Sequence, residues 1–274
     1  KAFWRSEMEL RIQHLCIGNS SSPKIMGVLN ISPESFFSDS FTPCDQVVTR
    51  VEEMIREGAD IIDLGARSTA LNAPPLTVAE ERDRIITAMK ELDGYGAVLS
   101  LDTMYPEVLD AALHYDLAAI NDINGLGNPA YARLAADSGL PVIAMAAHKL
   151  PGDPLDRAGT HAAMQEILDR AGQYGITDII LDPGVGKWVA DRSTAADWDL
   201  CRQFAELKRY ECPLLAAVSR KTFIGDCIGK PAHERLYGTL GVLFYLLENG
   251  ADLIRVHAVG AARDVVRVFE QLCR

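Results

Sequence analysis

The chain has 274 residues, and 48% of them are hydrophobic, which is enough to build the core of one large globular domain. Its 38 acidic residues outnumber its 27 lysines and arginines, which gives a formal net charge of −11 at pH 7. This charge argues against a general binder of nucleic acid or of anionic membranes. The six cysteines are scattered without a Cys-x-x-Cys pair, so we expect reduced thiols in a cytoplasmic protein that does not cross a membrane.

Eight short apolar runs alternate with segments of helical periodicity. The runs cover 25–29, 61–64, 98–101, 118–120, 142–145, 179–181, 214–218 and 253–256. Helices are predicted over 45–57, 77–89, 106–114, 129–138, 161–174, 195–208, 237–248 and 262–272. Runs rich in Ile, Val and Leu are typical of strands buried on both faces. Eightfold alternation with short connections predicts an α/β protein with a single (β/α)8 barrel over residues 24–274, preceded by an N-terminal extension over residues 1–23.

Polar residues follow or end most of these strands. In a (β/α)8 barrel the carboxyl ends of the strands meet at one face, which carries the active site. Asp102, Asn121, Asp182 and Lys221 are placed there, and together they suit the N–H edge of a flat heterocycle such as a 2-amino-4-oxo-pyrimidine. Met145 ends a neighbouring strand and is expected to pack on a ring face. The alternative is a structural ring of ion pairs at the barrel mouth.

A second polar set lies on the first and last predicted strands. Arg255 and His257 are two residues apart and so point to the same face, beside Asn30. An arginine, a histidine and an asparagine together suit a phosphate or pyrophosphate, with Mg²⁺ held by Asn30 and phosphate oxygens. The alternative is that Arg255 pairs with Asp252 or Asp63 and plays a structural part.

The loops after the first, second and sixth strands carry further signals. The connections 31–43 and 66–76 are long and rich in Pro, Gly, Ser or Thr, as functional loops often are. The segment 182–187, Asp-Pro-Gly-Val-Gly-Lys, is shorter than a phosphate loop and lacks the following Ser or Thr. It is interpreted as a tight turn that aims Asp182.

Several motifs in order along the chain resemble those of dihydropteroate synthases. Residues 26–36 resemble the first family signature, and residues 58–65 followed by Ser68 and Thr69 resemble the second. The later motifs are Asp102-Thr103, Asn121-Asp122-Ile123, Asp182-Pro183-Gly184, Ser219-Arg220-Lys221 and Arg255-Val256-His257. The resemblance covers nearly the whole chain from Ile25.

The resemblance implies a transferase that joins 6-hydroxymethyl-7,8-dihydropterin pyrophosphate to p-aminobenzoate, releasing pyrophosphate and making dihydropteroate. It also implies Mg²⁺ as cofactor, a dissociative reaction and a homodimer. The substrate-binding residues it implies are Thr69, Asp102, Asn121, Met145, Asp182, Arg220, Lys221 and Thr222. The implied catalytic residues are Asn30, Lys221, Arg255 and His257, with Asn30 as the metal ligand. Thr69 and Thr222 would lie near the arylamine and the pterin methylene.

The chain departs from the family pattern in its loops. Arg67 stands where the family has an acid, and Ala70 stands where an arginine usually follows Thr69. A family aromatic is missing after the sixth strand, where Trp188 is the nearby aromatic. These changes leave the amine substrate open. Two other functions compete, a pterin-dependent methyltransferase acting on a corrinoid or other acceptor and a pterin-binding protein without turnover. Lys221, Arg255 and His257 favour the synthase, because a methyltransferase needs no pyrophosphate pocket.

Overall fold

The computed structural model describes residues 9–18, 21–33, 41–67 and 75–273. Its strands are β1 (Glu9–Ile12), β2 (Leu15–Gly18), β3 (Lys24–Asn30), β4 (Ile61–Gly65), β5 (Leu99–Asp102), β6 (Ala119–Asp122), β7 (Val142–Met145), β8 (Ile179–Asp182), β9 (Leu215–Ala216) and β10 (Leu253–Val256). Its helices are α1 (Val47–Glu57), α2 (Val78–Leu92), α3 (Pro106–Ala112), α4 (Pro129–Ser138), α5 (Arg157–Tyr174), α6 (Thr194–Arg202), α7 (Thr222–Ile228), α8 (Leu236–Glu248) and α9 (Val259–Cys273).

Strands β3 to β10 form the barrel. They pair in the order β8-β7-β6-β5-β4-β3-β10-β9, and every pair is parallel. The ring closes where Leu181 of β8 bridges Leu214, whose chain then continues into the two-residue strand β9. The helices pack outside the strands in one large apolar cluster. This confirms the predicted (β/α)8 barrel.

The N-terminal residues form a β-hairpin under the barrel. Strands β1 and β2 are antiparallel, and their four apolar side chains are Leu10, Ile12, Leu15 and Ile17. These side chains share one buried cluster with residues such as Met26 and Leu253 from the amino-terminal halves of barrel strands. The hairpin therefore packs at the end of the barrel opposite the strand carboxyl ends. Residues 1–8 and 19–20 lie outside the described residues, and the predicted boundary between 23 and 24 stays a prediction.

Local signals set most of the helix ends. Thr77 forms the predicted capping box with Glu80 at the start of α2, and Pro106 occupies the first turn of α3. Helix α5 begins four residues before the predicted start at 161, because the Asp156 side chain accepts a hydrogen bond from the Gly159 amide.

Two helical predictions need correction. The predicted helix over 195–208 is divided into α6 and a 3-10 helix over Phe204–Tyr210. Phe204 and Leu207 are buried three residues apart, which matches the three-residue turn of a 3-10 helix. The short helix α7 was not predicted. Among the described helices, none combines the length and the hydropathy that a membrane crossing requires.

Candidate active site

A cavity opens at the carboxyl ends of the barrel strands. Among the described residues it is lined by Val28, Asn30, Gly65, Arg67, Asp102, Asn121, Ile123, Asp182, Trp188, Ala217, Ser219, Lys221, Arg255 and His257. Several of these come in pairs two positions apart, such as Asn121 with Ile123 and Arg255 with His257. Side chains two positions apart along a strand face the same side, which here is the barrel axis. The cavity therefore collects both polar sets that the sequence predicts.

The floor of the cavity is tied together by a buried carboxylate, Asp63 of β4. Its side chain is completely buried, and Oδ2 accepts hydrogen bonds from Arg255 Nε at 2.6 Å and from Asn121 Nδ2 at 3.0 Å. Arg255 Nη2 donates in turn to Asp102 Oδ2 at 2.5 Å. Two carboxylates thus share one guanidinium. Asp252 pairs with Lys208 at 2.5 Å instead, so of the two partners proposed for Arg255 only Asp63 is found.

Burial and this charge sharing alter the acid–base behaviour of the floor. Burial raises the pKa of Asp102, and the nearby Asp63 adds to that rise while Arg255 opposes it. The pKa of Arg255 is raised in spite of its own burial, because Asp63 and Asp102 stabilise its positive charge. Arg255 therefore stays protonated at any physiological pH. The Asp102 carboxyl group accepts hydrogen bonds when it is ionised and can also donate one when it is protonated.

Asp182 is aimed by the turn that follows β8. Its Oδ1 accepts a hydrogen bond from the Gly184 amide at 2.8 Å, and Gly184 has a φ of 68°. A non-glycine residue is strained at such a φ, so the glycine lets the chain fold back over the carboxylate. Burial raises the pKa of Asp182, while the charge of Lys221 opposes that rise. The interpretation of segment 182–187 as a tight turn is in keeping with this geometry.

Lys221 reaches the same turn from the start of α7. Its ammonium donates a hydrogen bond to the Val185 carbonyl and lies 4.8 Å from the centre of the Trp188 ring. Burial lowers the pKa of Lys221 to about 8, although Asp182 and Asp197 favour its charged form. A buried ammonium with a pKa near the working pH can donate a hydrogen bond to a substrate and respond to small changes around it.

His257 follows β10 and is held by Ser219, which lies two residues before Lys221 in the chain. The Ser219 hydroxyl oxygen accepts from the His257 amide at 3.3 Å, and it lies 2.9 Å from His257 Nδ1. Burial and, to a smaller extent, the charges of Arg255, Arg220 and Lys221 together lower the pKa of His257 to about 3. The imidazole is therefore neutral. In the tautomer whose Nδ1 accepts from the Ser219 hydroxyl, the ring proton lies on Nε2 and forms a neutral hydrogen-bond donor.

Asn30 ends β3 beside this histidine. Its Oδ1 accepts a hydrogen bond from the Ser32 amide at 3.0 Å. The described residues contain no cluster of three or more His, Cys, Asp or Glu side chains that could enclose a metal ion. A single amide oxygen fits Mg²⁺ only when substrate phosphate oxygens and water supply the other ligands, which is the common arrangement for that ion.

Four predicted substrate-binding residues are not among the described residues that line the cavity. Met145 is fully buried beneath the turn at Gly184, and Thr222 is exposed at the start of α7. The Arg220 guanidinium donates to the carbonyls of Ala232 and His233, and so braces the loop after α7. Thr69 lies outside the described residues. The roles of these four stay predictions.

Sequence reasoning assigned no role to several residues that the cavity contains. Ser219 is one of them, and the alternation of side chains places it on the same side as Ala217. Asp63 was named only as an alternative partner of Arg255 and is not among the described lining residues, and its inward position follows from its spacing of two residues from Gly65. The sequence feature that could have identified Arg67 and Trp188 as cavity residues is that both depart from the family pattern. Both line the cavity. His148, by contrast, pairs with Glu166 at 2.8 Å and is not among the described lining residues.

Comparisons with known proteins agree with this geometry. The family described as "Pterin binding enzyme" matches residues 26–257. The dihydropteroate synthase of Escherichia coli strain K12 is 32% identical over 91% of this chain and 92% of its own length. A Coxiella burnetii dihydropteroate synthase in complex with pteroic acid superposes with a TM-score of 0.84 at 27% identity, over 96% of this chain and 97% of that one. A Xanthomonas albilineans dihydropteroate synthase with 4-aminobenzoic acid gives a TM-score of 0.83 at 30% identity, over 96% and 97%. The chain therefore belongs to the pterin-binding enzyme family, among its dihydropteroate synthases.

Proposed function

We propose that this enzyme is a dihydropteroate synthase, a transferase that joins the methylene carbon of 6-hydroxymethyl-7,8-dihydropterin pyrophosphate to the amino nitrogen of p-aminobenzoate. The bond from that carbon to the bridging oxygen breaks, and pyrophosphate leaves with the electron pair. The amine nitrogen then forms the new C–N bond and releases a proton to solvent. The observation that carries the proposal is a single cavity in which Asp102, Asn121 and Asp182 lie with the cations Lys221 and Arg255.

The pterin is recognised by the deep side of the cavity. Asp182 uses Oδ1 for the Gly184 amide, and its other oxygen can accept from the 2-amino group and adjacent ring N–H of the pterin. The carboxamide of Asn121 and the Asp102 carboxyl complete the polar edge, and Lys221 donates to a ring nitrogen or carbonyl. The bound structures of the Coxiella and Xanthomonas relatives contain pteroic acid, the oxidised form of the dihydropteroate product, and 4-aminobenzoic acid, the amine substrate of this reaction.

Catalysis depends on the stability of the leaving pyrophosphate. Negative charge develops on the bridging oxygen as the carbon–oxygen bond breaks, and fixed donors near that oxygen lower the barrier. Arg255 and the neutral His257 are held by Asp63 and Ser219, so they need little reorganisation during the step. The p-aminobenzoate amine is uncharged at neutral pH, and the reaction therefore needs no strong general base.

The proposal includes a Mg²⁺ ion that binds together with the pyrophosphate group. Asn30 would hold it together with phosphate oxygens and water, and its charge would neutralise the leaving group. Support comes from the position of Asn30 on the cavity wall. Titration with Mg²⁺ in the presence of inorganic pyrophosphate should show tighter binding than in its absence, and Asn30→Ala should remove most of that difference.

A homodimer through α8 and α9 is also proposed. Four large apolar side chains are exposed on these two helices, Tyr237, Tyr245, Val268 and Leu272, and the last is 70% exposed. An exposed apolar face of this kind is often an interface. Sedimentation velocity should give a dimer, and a Tyr237→Glu/Leu272→Glu variant should sediment as a monomer. A wild-type monomer at micromolar concentration would contradict this assembly.

The cytoplasm is the proposed location. All six cysteines are free thiols, of which Cys201 is buried and Cys227 is exposed, and reduced thiols persist in a reducing compartment. Cell fractionation with an antibody against the chain would test this directly.

The synthase activity is tested by incubating the protein with Mg²⁺, the pterin pyrophosphate and p-aminobenzoate. We expect equal molar amounts of pyrophosphate and dihydropteroate. Pterin binding without either product would instead favour a binding protein. Methyl transfer from a reduced folate to a corrinoid, in the absence of synthase activity, would favour a methyltransferase.

A further inference from the structure

Arg67 is a cavity residue that follows β4 by two positions. Its Nε donates to Glu81 Oε2 at 2.5 Å, and its guanidinium carbon lies 4.8 Å from the centre of the Tyr105 ring. The Glu81 side chain is almost completely buried, and its other oxygen accepts from the Thr103 hydroxyl at 2.6 Å. The guanidinium is therefore held at Nε and on one face.

One terminal nitrogen of the same guanidinium has no such partner among the described residues. The Nη2 atom is buried and makes no hydrogen bond in the described part of the chain. A buried donor without an acceptor costs about 1–3 kcal/mol, and more for a charged group. An arginine that is fixed through Nε and left unsatisfied at Nη2, on a cavity wall, is arranged to receive an acceptor from a ligand.

The register of the barrel strands indicates which side of the cavity Arg67 occupies. Strand β3 lies between β10 and β4. Asn30 ends β3, and its register partner on β4 is Gly65, two residues before Arg67. His257 follows β10 on the other side of β3. Arg67 and His257 therefore flank Asn30 from its two neighbouring strands, which places Arg67 on the pyrophosphate side of the cavity.

The charges of the cavity lead to the same assignment. Arg255 is shared by the carboxylates of Asp63 and Asp102, and Lys221 lies beside Asp182. A pyrophosphate ester carries several negative charges and enters a cavity whose cations are already matched by carboxylates. Arg67 is also paired with a carboxylate, Glu81, but only through Nε, and its Nη2 makes no hydrogen bond with the described residues. A guanidinium suits phosphate oxygens better than an ammonium does.

We propose that Arg67 is a substrate-binding residue whose Nη edge donates hydrogen bonds to the pyrophosphate group of the pterin substrate. The assignment rests on the proposed synthase function for its physiological ligand. It gives this chain a phosphate-binding arginine at a position where the family pattern has an acid.

The test compares ligands that differ only in phosphate. Binding of inorganic pyrophosphate and of 6-hydroxymethyl-7,8-dihydropterin is measured by calorimetry for wild type, Arg67→Gln, Arg67→Lys and the control Arg82→Gln, an exposed arginine on α2. We expect Arg67→Gln to weaken pyrophosphate binding about tenfold or more, as loss of a charge-assisted hydrogen bond should. Arg67→Lys should be intermediate. Dihydropterin binding, and KM for p-aminobenzoate in turnover assays, should change less than about twofold.

Three results would overturn the assignment. Unchanged pyrophosphate binding in Arg67→Gln is one, and equal weakening of the dihydropterin is another, because that would indicate a structural role. A rise confined to KM for p-aminobenzoate would place Arg67 at the arylamine instead. If Arg67→Gln fails to fold because Glu81 loses its partner, Arg67→Gln/Glu81→Gln removes both charges and is measured in its place. A wild type that binds pyrophosphate but makes no dihydropteroate refutes the synthase function while leaving the anion assignment intact.

Discussion

Arg255 Nη2 lies 2.5 Å from Asp102 Oδ2, so a residue predicted to hold pyrophosphate and a residue predicted to hold the pterin form one ion pair. The two predicted sets are therefore not independent. Asp63 joins them from below through Arg255 and Asn121. In the proposed reaction, departure of pyrophosphate would change the charge near Arg255, and Arg255 is hydrogen-bonded to the Asp102 carboxyl.

Arg255→Met should destabilise the fold as well as the site. Asp63 is completely buried, and removal of its cationic partner leaves an uncompensated charge. We expect the free energy of unfolding to fall by about 3–5 kcal/mol, measured by urea denaturation. Asp63→Asn/Arg255→Met should recover part of that loss, whereas Arg267→Met, an exposed arginine on α9, should have almost no effect. An Arg255→Met protein as stable as the wild type would show that the pair carries little of the stability.

Asp182→Asn should weaken pterin binding without loosening the turn. Asparagine keeps an oxygen for the Gly184 amide but presents an NH₂ group, in place of an acceptor, to the pterin. The affinity for 6-hydroxymethyl-7,8-dihydropterin should fall about tenfold to a hundredfold, the range for a hydrogen bond to a charged group. Asp191→Asn, an exposed acid in the same loop, is the matched control. Equal affinities for Asp182→Asn and wild type would remove Asp182 from the pterin site.

His257 should make the fold sensitive to acid. Its pKa is lowered to about 3 in the folded protein, so between that value and the usual histidine pKa near 6.5 the unfolded chain binds more protons than the folded one. This contribution to stability is present above pH 6.5 and is lost as the pH falls towards 3. His257→Gln should therefore lose less stability than the wild type between pH 6.5 and 4.5 in denaturation experiments, while the exposed-histidine variant His233→Gln should follow the wild type. Parallel curves for all three proteins would contradict the burial of a neutral His257.

The sequence could predict the barrel because its strands carry their pattern locally. Runs of Ile, Val and Leu need burial on both faces, and the capping signals at Thr77 and Pro106 mark helix starts wherever the chain then packs. The carboxyl-end rule of the barrel also gathers Asp102, Asn121 and Asp182 into one place, since parallel strands end at a common face.

Contacts between segments that are distant in the chain could not be predicted from the sequence. Arg220 and Lys221 are adjacent in sequence, yet Arg220 has a φ of 57° and sends its guanidinium to the carbonyls of Ala232 and His233, whereas Lys221 turns into the cavity. A backbone reversal of this kind has no periodic signal. The clamp of Glu81 on Arg67 likewise joins a loop to a helix 14 residues away, and nothing in either segment alone predicts it.

Deprotonation of Lys221 should weaken substrate binding at alkaline pH. Its pKa is lowered to about 8, so its ammonium loses the proton as the pH rises through that value, and its donor strength towards the substrate falls. The affinity for the pterin pyrophosphate should decline between pH 7 and 9 in the wild type and in Lys187→Met, an exposed lysine of the neighbouring loop. Lys221→Met should bind weakly throughout and lack this decline. A decline of equal size in Lys221→Met would assign the titration to another group.

Variants of Asp197 should distinguish its contribution to the stability of the fold from its contribution to the position of Lys221. Its Oδ1 accepts from the Gly186 amide and from Arg192 Nε, both at 2.8 Å, and the side chains of Asp197 and Arg192 are 0% and 1% exposed. Gly186 packs directly against Lys221, since a Cβ atom there would lie 2.6 Å from Lys221 Cδ. Asp197 thus fixes the turn against which the lysine rests.

Asp197→Ala leaves the Arg192 charge buried and unpaired, so the free energy of unfolding should fall by about 3–5 kcal/mol and pterin affinity should fall with it. Arg192→Met/Asp197→Leu removes both charges and should recover most of the stability in urea denaturation, because apolar residues of similar volume replace the pair. Pterin affinity, measured by calorimetry, should stay low in that variant because the Gly186 amide still lacks its acceptor. Asp199→Ala on the exposed side of α6 serves as control. Recovery of affinity together with stability would show that the pair supports the fold alone and leaves the position of Lys221 to other contacts.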